Sequence, residues 1–79
     1  IINVYPNPSQ GEVHVALKEG VSADVAVYDI TGRQLYTCSF NGSNLSMLEG
    51  YLNTLESGVY FINAISEQDS QTLKLVMTK

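Results

Sequence analysis

Apolar residues recur at every second position through most of this chain, and no helical spacing is sustained between capping residues. A strand turns successive side chains to opposite faces, so a period of two predicts half-buried strands rather than helices. About seven short strands follow, separated by turn signals, which is the pattern of an all-β sandwich or barrel.

The first strand runs from Ile1 to Tyr5 and stops at Pro6 and Pro8, with Ser9-Gln10-Gly11 as the turn. In the second, Glu12 to Lys18, the residues Val13, Val15 and Leu17 share one face, and Glu12, His14, Ala16 and Lys18 share the other. One face is therefore expected in the core and one in water. Glu19-Gly20 ends it. The third, Asp24 to Ile30, turns Val25 and Val27 inward. Asp29-Ile30-Thr31-Gly32 is a turn with a cause. The carboxylate can accept backbone N–H bonds, and Gly32 takes a positive φ without steric cost. A type I turn with a glycine bulge then gives a tight hairpin into the fourth strand, Gln34 to Phe40.

Asn41-Gly42-Ser43-Asn44 reads as a loop. Leu45, Leu48, Leu52 and Leu55 stand at helical spacing, but Gly50 and Asn53 interrupt it. The expectation is a loop followed by a short fifth strand near Tyr51 to Thr54. The sixth strand, Val59 to Ser66, places Tyr60, Ile62 and Ala64 inside and Asn63 in water. Glu67-Gln68-Asp69-Ser70 closes a hairpin. The seventh, Gln71 to Met77, turns Leu73, Leu75 and Met77 in and Lys74 out.

Seventy-nine residues make one domain. A chain this small buries only about 60% of the surface it exposes unfolded, so its core is thin. Cys38 is the only cysteine, so no internal disulfide supports it. Eight acidic residues against four basic ones give a net charge of −4, which argues against a nucleic-acid partner. The acidic residues are scattered, a pattern of solubility rather than of a site. No apolar run approaches the roughly 20 residues of a membrane span, and no secretory signal pattern is present. Ile1-Ile2 looks like the inside of a strand, so the chain is read as a C-terminal piece of something longer.

Catalysis lacks its parts. No Ser, Cys or Thr lies in a nucleophile-elbow pattern, and one histidine leaves no base–nucleophile pair. His14, on the polar face, has only Glu12 beside it, short of a metal-ligand set. No cofactor loop is present. Tyr36 and Phe40 share a strand face and raise a sugar-stacking alternative, weakened by the absence of Trp. Leu55-Glu56-Ser57-Gly58-Val59-Tyr60 has the form of a tyrosine corner. The ring fills a core edge and the hydroxyl reaches a nearby backbone group, with Leu55 as anchor and Gly58 at the bend.

Four punctuated motifs remain: Tyr5-Pro6-Asn7-Pro8 with Gly11; Tyr28-Asp29 with Gly32-Arg33; Leu55 with Gly58-Val59-Tyr60; and Lys74-Leu75-Val76. In this order and at these distances they resemble the C-terminal sorting domain (type A) of the bacterial type IX secretion system, over nearly the whole chain. The closing motif is thinner in lysine than the family's, and the stretch from Asn41 to Gly50 is longer. The resemblance implies a seven-strand immunoglobulin-like antiparallel sandwich that does no chemistry and needs no cofactor.

It implies as partners an upstream passenger, the type IX outer-membrane translocon and its C-terminal signal peptidase. Location would be the periplasm in transit, then the cell surface or medium. The residues it marks for recognition are Tyr5, Pro6, Asn7, Pro8, Gly11, Asp29, Gly32, Arg33, Leu55, Gly58, Tyr60, Lys74, Leu75 and Val76. A proline-stiffened loop loses little entropy on binding, and a last strand at a sheet edge offers backbone groups to a partner. Gln71 to Met77 is thus the expected main contact. The competing expectation is a fibronectin-III-like or carbohydrate-binding sandwich retained on an extracellular protein.

Overall fold

The computed structural model describes residues 2–5, 12–17, 22–40, 45–67 and 69–78. Among them stand six strands and one helix: β1 (Ile2–Tyr5), β2 (His14–Leu17), β3 (Ala23–Asp29), β4 (Gln34–Phe40), α1 (Leu45–Leu52), β5 (Gly58–Ile65) and β6 (Ser70–Met77). β1 and β2 form an antiparallel pair, with Ile2 opposite Leu17 and Tyr5 opposite His14. The other strands form an antiparallel sheet in the order β4-β3-β5-β6. β5 therefore lies on the far side of β3 from β4, and α1 is carried in the connection between β4 and β5.

The alternation places the core where the residues predict. Val15 is buried from the smaller sheet with Val13 just before it, and Val25, Val27, Ile62, Ala64, Leu75 and Met77 are buried from the larger. One buried cluster joins them with Ile2, Val4, Leu48, Leu52 and Leu55. Both sheets and the helix thus share a single apolar interior. Lys74 is exposed, as its outward position requires.

The expected fifth strand near Tyr51 to Thr54 is overturned. Tyr51 and Leu52 end α1, and Asn53 and Thr54 turn away from it. Leu48 and Leu52, one helical turn apart, are fully buried. Burying each contributes about 1.5–3 kcal/mol, against about 1 kcal/mol for a glycine within a helix. Gly50 moreover lies on the exposed side, with nothing near its missing Cβ. Asn53 ends the helix rather than breaking it: its N–H and its Nδ2 both donate to the Glu49 carbonyl, at 3.0 and 2.9 Å.

The same Asn53 side chain reaches the smaller sheet. Its Oδ1 accepts the Val13 N–H at 2.8 Å, and its Nδ2 lies 3.4 Å from the Val13 carbonyl. An amide thereby meets the backbone bonding groups of a residue just before β2, as a neighbouring strand would. Tyr51 completes the docking of α1 by stacking on Tyr36 of β4, with ring centroids 4.3 Å apart and planes at 12°.

Candidate functional site

The β3–β4 turn is built around one carboxylate. Asp29 Oδ1 accepts the Thr31 N–H at 2.9 Å, the Thr31 hydroxyl at 2.6 Å and the Arg33 N–H at 3.0 Å. The Gly32 N–H donates to the Asp29 carbonyl at 3.0 Å, and Gly32 adopts φ of +89°, a conformation glycine enters without a Cβ clash. The Thr31 hydroxyl, then the Arg33 and Thr31 N–H groups and the Arg33 charge, hold the Asp29 carboxyl below its ordinary range against the opposing effect of desolvation. Arg33 Nε lies 3.3 Å from Asp29 Oδ2, an exposed pair that shapes the turn more than it stabilises it. Just after the turn the register slips: Tyr28 faces Gln34 while Val27 faces Tyr36. Leu35 is the extra residue of this bulge, and it packs on the core together with Tyr36.

Tyr60 occupies the corner that its spacing predicts. Its hydroxyl donates to the Glu56 carbonyl at 2.9 Å, and its ring packs against the core cluster to which buried Leu55 belongs. Gly58 carries φ of +158° with the Tyr60 ring 3.6 Å from where a Cβ would project. Glycine is favoured there by the backbone angle rather than by lack of room.

Strand register brings these separate motifs together. Asp29 faces Tyr60 across β3 and β5, and Tyr60 faces Leu75 across β5 and β6. On one side of that row lies the row of Tyr28, Phe61 and Lys74, and on its other side Val59 faces Val76. Thus the turn motif, the corner motif and the Lys74-Leu75-Val76 motif meet at one end of the larger sheet. Within this region Lys74 and Arg33 are exposed, whereas Leu75 and Leu55 are buried. Leu75 and Leu55 therefore belong to the core, whereas Lys74 and Arg33 face solvent.

The opening motif is placed only in part. Tyr5 ends β1 on the other sheet, half exposed, its ring 5.6 Å from that of His14. Pro6, Asn7, Pro8 and Gly11 lie outside the described residues. His14 also faces two carboxylates, Glu12 at 3.3 Å and Glu49 of α1 at 3.7 Å. The Glu49 contact is invisible to local spacing because it depends on α1. Among the described residues no group of three His, Cys, Asp or Glu side chains is arranged to hold a metal ion. A shallow cleft of about 430 Å³, lined by Asp24, Ser39, Ile65 and Glu67 among others, opens at the opposite end of the sheet from the motifs. The Tyr36 face considered for sugar stacking is occupied by Tyr51, and burial raises the Tyr36 phenol above its ordinary pKa. Among the described residues no helix is long and apolar enough to cross a membrane.

Compared with known proteins, residues 3–78 match the secretion system C-terminal sorting domain family. The chain is also similar to an endo-acting ulvan lyase of Formosa agariphila, at 24% identity over 78 residues. That alignment takes in 99% of this chain and 15% of the lyase, so the chain spans a small fraction of the relative it matches.

Proposed function

This chain belongs to the secretion system C-terminal sorting domain family, and we propose that it is the export label of a larger protein. In this reading it follows a passenger, directs it across the bacterial outer membrane through the type IX translocon, and is removed by the signal peptidase of that system. The passenger passes through the periplasm and ends at the cell surface or in the medium. The label itself carries no catalytic group; any chemistry belongs to the passenger.

The observation that carries the reading is the family match together with the gathering of three of its motifs at one end of the larger sheet. A folded label is read by surface shape, and a surface held by a hydrogen-bonded turn and a tyrosine corner costs little to order on binding. We assign the contact to that end: Arg33 and Gly32 on the turn, Tyr60 and Gly58 at the corner, and β6 with Lys74 outward and Leu75 and Val76 supporting it. Tyr5, on the other sheet, belongs with the sequence motif Pro6, Asn7, Pro8 and Gly11 to a second element of the label. The two sheets are read as the layers of an immunoglobulin-like sandwich. Support comes from the interior they share and from the Tyr60–Glu56 hydrogen bond.

The test is a truncation of the full-length parent after Gln71. Loss of surface or secreted cargo, with the passenger retained in the periplasm, is the expected result. Normal delivery of the truncated protein would rule the reading out.

A further inference from the structure

The larger sheet has two terminal strands, β6 and β4, and they are differently equipped. Sheet edges are ordinarily guarded against pairing by charge, proline, brevity or a bulge. β6 carries exposed Lys74. β4 is seven residues long, Gln34-Leu-Tyr-Thr-Cys-Ser-Phe40, with neither a charge nor a proline. Its bulge lies at Leu35, so Tyr36 to Phe40 is regular strand. Every ladder partner of β4 among the described residues is on β3.

That regular stretch is self-complementary. Cys38 lies at its centre. Tyr36 and Cys38 face the buried residues Val27 and Val25 on β3, so they lie on the core side, whereas Thr37 and Ser39 are exposed on the outer side. We propose that β4 is a self-association edge: two copies of the domain pair their β4 strands antiparallel about a two-fold axis at Cys38, joining their larger sheets into one. In that register Tyr36 stands opposite Phe40 of the second copy, Thr37 opposite Ser39, and Cys38 opposite its equivalent.

Hydroxyl pairs such as Thr37 with Ser39 are favourable when directly opposed across antiparallel strands. The two-fold keeps core sides together and outer sides together, as the pleat demands. Each copy carries a net charge of −4, yet no charged side chain lies on β4, so the seam itself sets no like charges against each other. Asp24, on the neighbouring strand, already accepts a hydrogen bond from the Ser39 hydroxyl at 2.5 Å. A second copy is thus the occupant this edge fits.

Sedimentation of the chain over a micromolar-to-millimolar series tests it. The expected result is a dimer fraction rising with concentration, which diamide locks through a Cys38–Cys38 disulfide and reductant releases. Thr37→Lys with Ser39→Lys sets lysine against lysine in two rows of the seam and leaves the buried residues untouched. Dimerisation should weaken at least about tenfold with unchanged circular dichroism. Hydrogen exchange on the unaltered chain is independent of any variant: β4 amides should slow as concentration rises, and β6 amides should not. A chain monomeric throughout overturns the proposal. So does a dimer that resists the lysines or fails to cross-link. A monomer that instead takes up an unrelated alternating peptide at β4 overturns it as well and assigns the edge to another strand.

Discussion

Gln71 holds Ile2 by both of its backbone groups: Oε1 accepts the Ile2 N–H at 3.2 Å, and Nε2 donates to the Ile2 carbonyl at 3.1 Å. The two residues are 69 apart in the chain, and their contact ties β6 of the larger sheet to β1 of the smaller. Gln71→Ala removes both bonds and leaves a partly buried amide and carbonyl without that partner. The expected loss is about 1–3 kcal/mol in urea denaturation. Gln71→Glu keeps the acceptor and loses the donor, so it should fall between. A midpoint unmoved by Gln71→Ala would mean that apolar packing alone joins the sheets.

Asn53 does the same service between α1 and the chain entering β2, with side-chain contacts to Val13 and Glu49. Asn53→Ala should cost about 2–3 kcal/mol and fray the end of α1, read as lost helical signal before the main unfolding transition. Asn53→Asp retains only the acceptor for the Val13 N–H and should recover part of the loss. Equal stability of the Ala variant and the natural chain would contradict the bridging role.

The Tyr60 hydroxyl donates a hydrogen bond to the Glu56 carbonyl. Tyr60→Phe keeps the ring in the core edge and should cost about 0.5–1.5 kcal/mol. Tyr60→Ala also loses the packing and should cost about 3 kcal/mol or more. If the two variants were equally destabilised, the hydroxyl rather than the ring would be what matters, against the corner described above.

Asp29 links the turn to pH. Its carboxyl titrates below the ordinary value of 3.8 in the folded chain. The stability it contributes is therefore present above 3.8 and is lost as pH falls through the lower folded value. Asp29→Asn removes the charged acceptor. The melting temperatures of the natural chain and this variant should differ at about pH 7 and converge at about pH 2. A gap of constant size across that range would place the effect in turn geometry instead of ionisation.

Much of the fold is legible from local pattern, because alternation is a local property. Val25 with Val27, Ile62 with Ala64 and Leu75 with Met77 all lie on the buried face that a period of two assigns them. The Asp29–Arg33 turn and the Tyr60 corner are equally local, each closing within a few residues. α1 is where such reading fails. The spacing of Leu48, Leu52 and Leu55 is a helical signal, but Gly50 and Asn53 argue against it until burial is known. Gly50 then proves to face water, and Asn53 to finish the helix. The amide bridges of Asn53 and Gln71 join residues 40 and 69 apart, so no local pattern marks them. The meeting of Asp29, Tyr60 and Leu75 likewise depends on register across three strands. Motif residues can be picked from the chain, but the surface they share cannot.

The most direct measurement is a transfer. Residues 1–79 are fused behind a fluorescent protein that carries a secretory signal peptide, and the fusion is expressed in a bacterium with a working type IX system and in a matched strain lacking its translocon. Protease accessibility then reports where the fluorescent protein lies. The account predicts delivery to the cell surface or medium in the first strain and periplasmic retention in the second. Retention in the periplasm of both strains would contradict it.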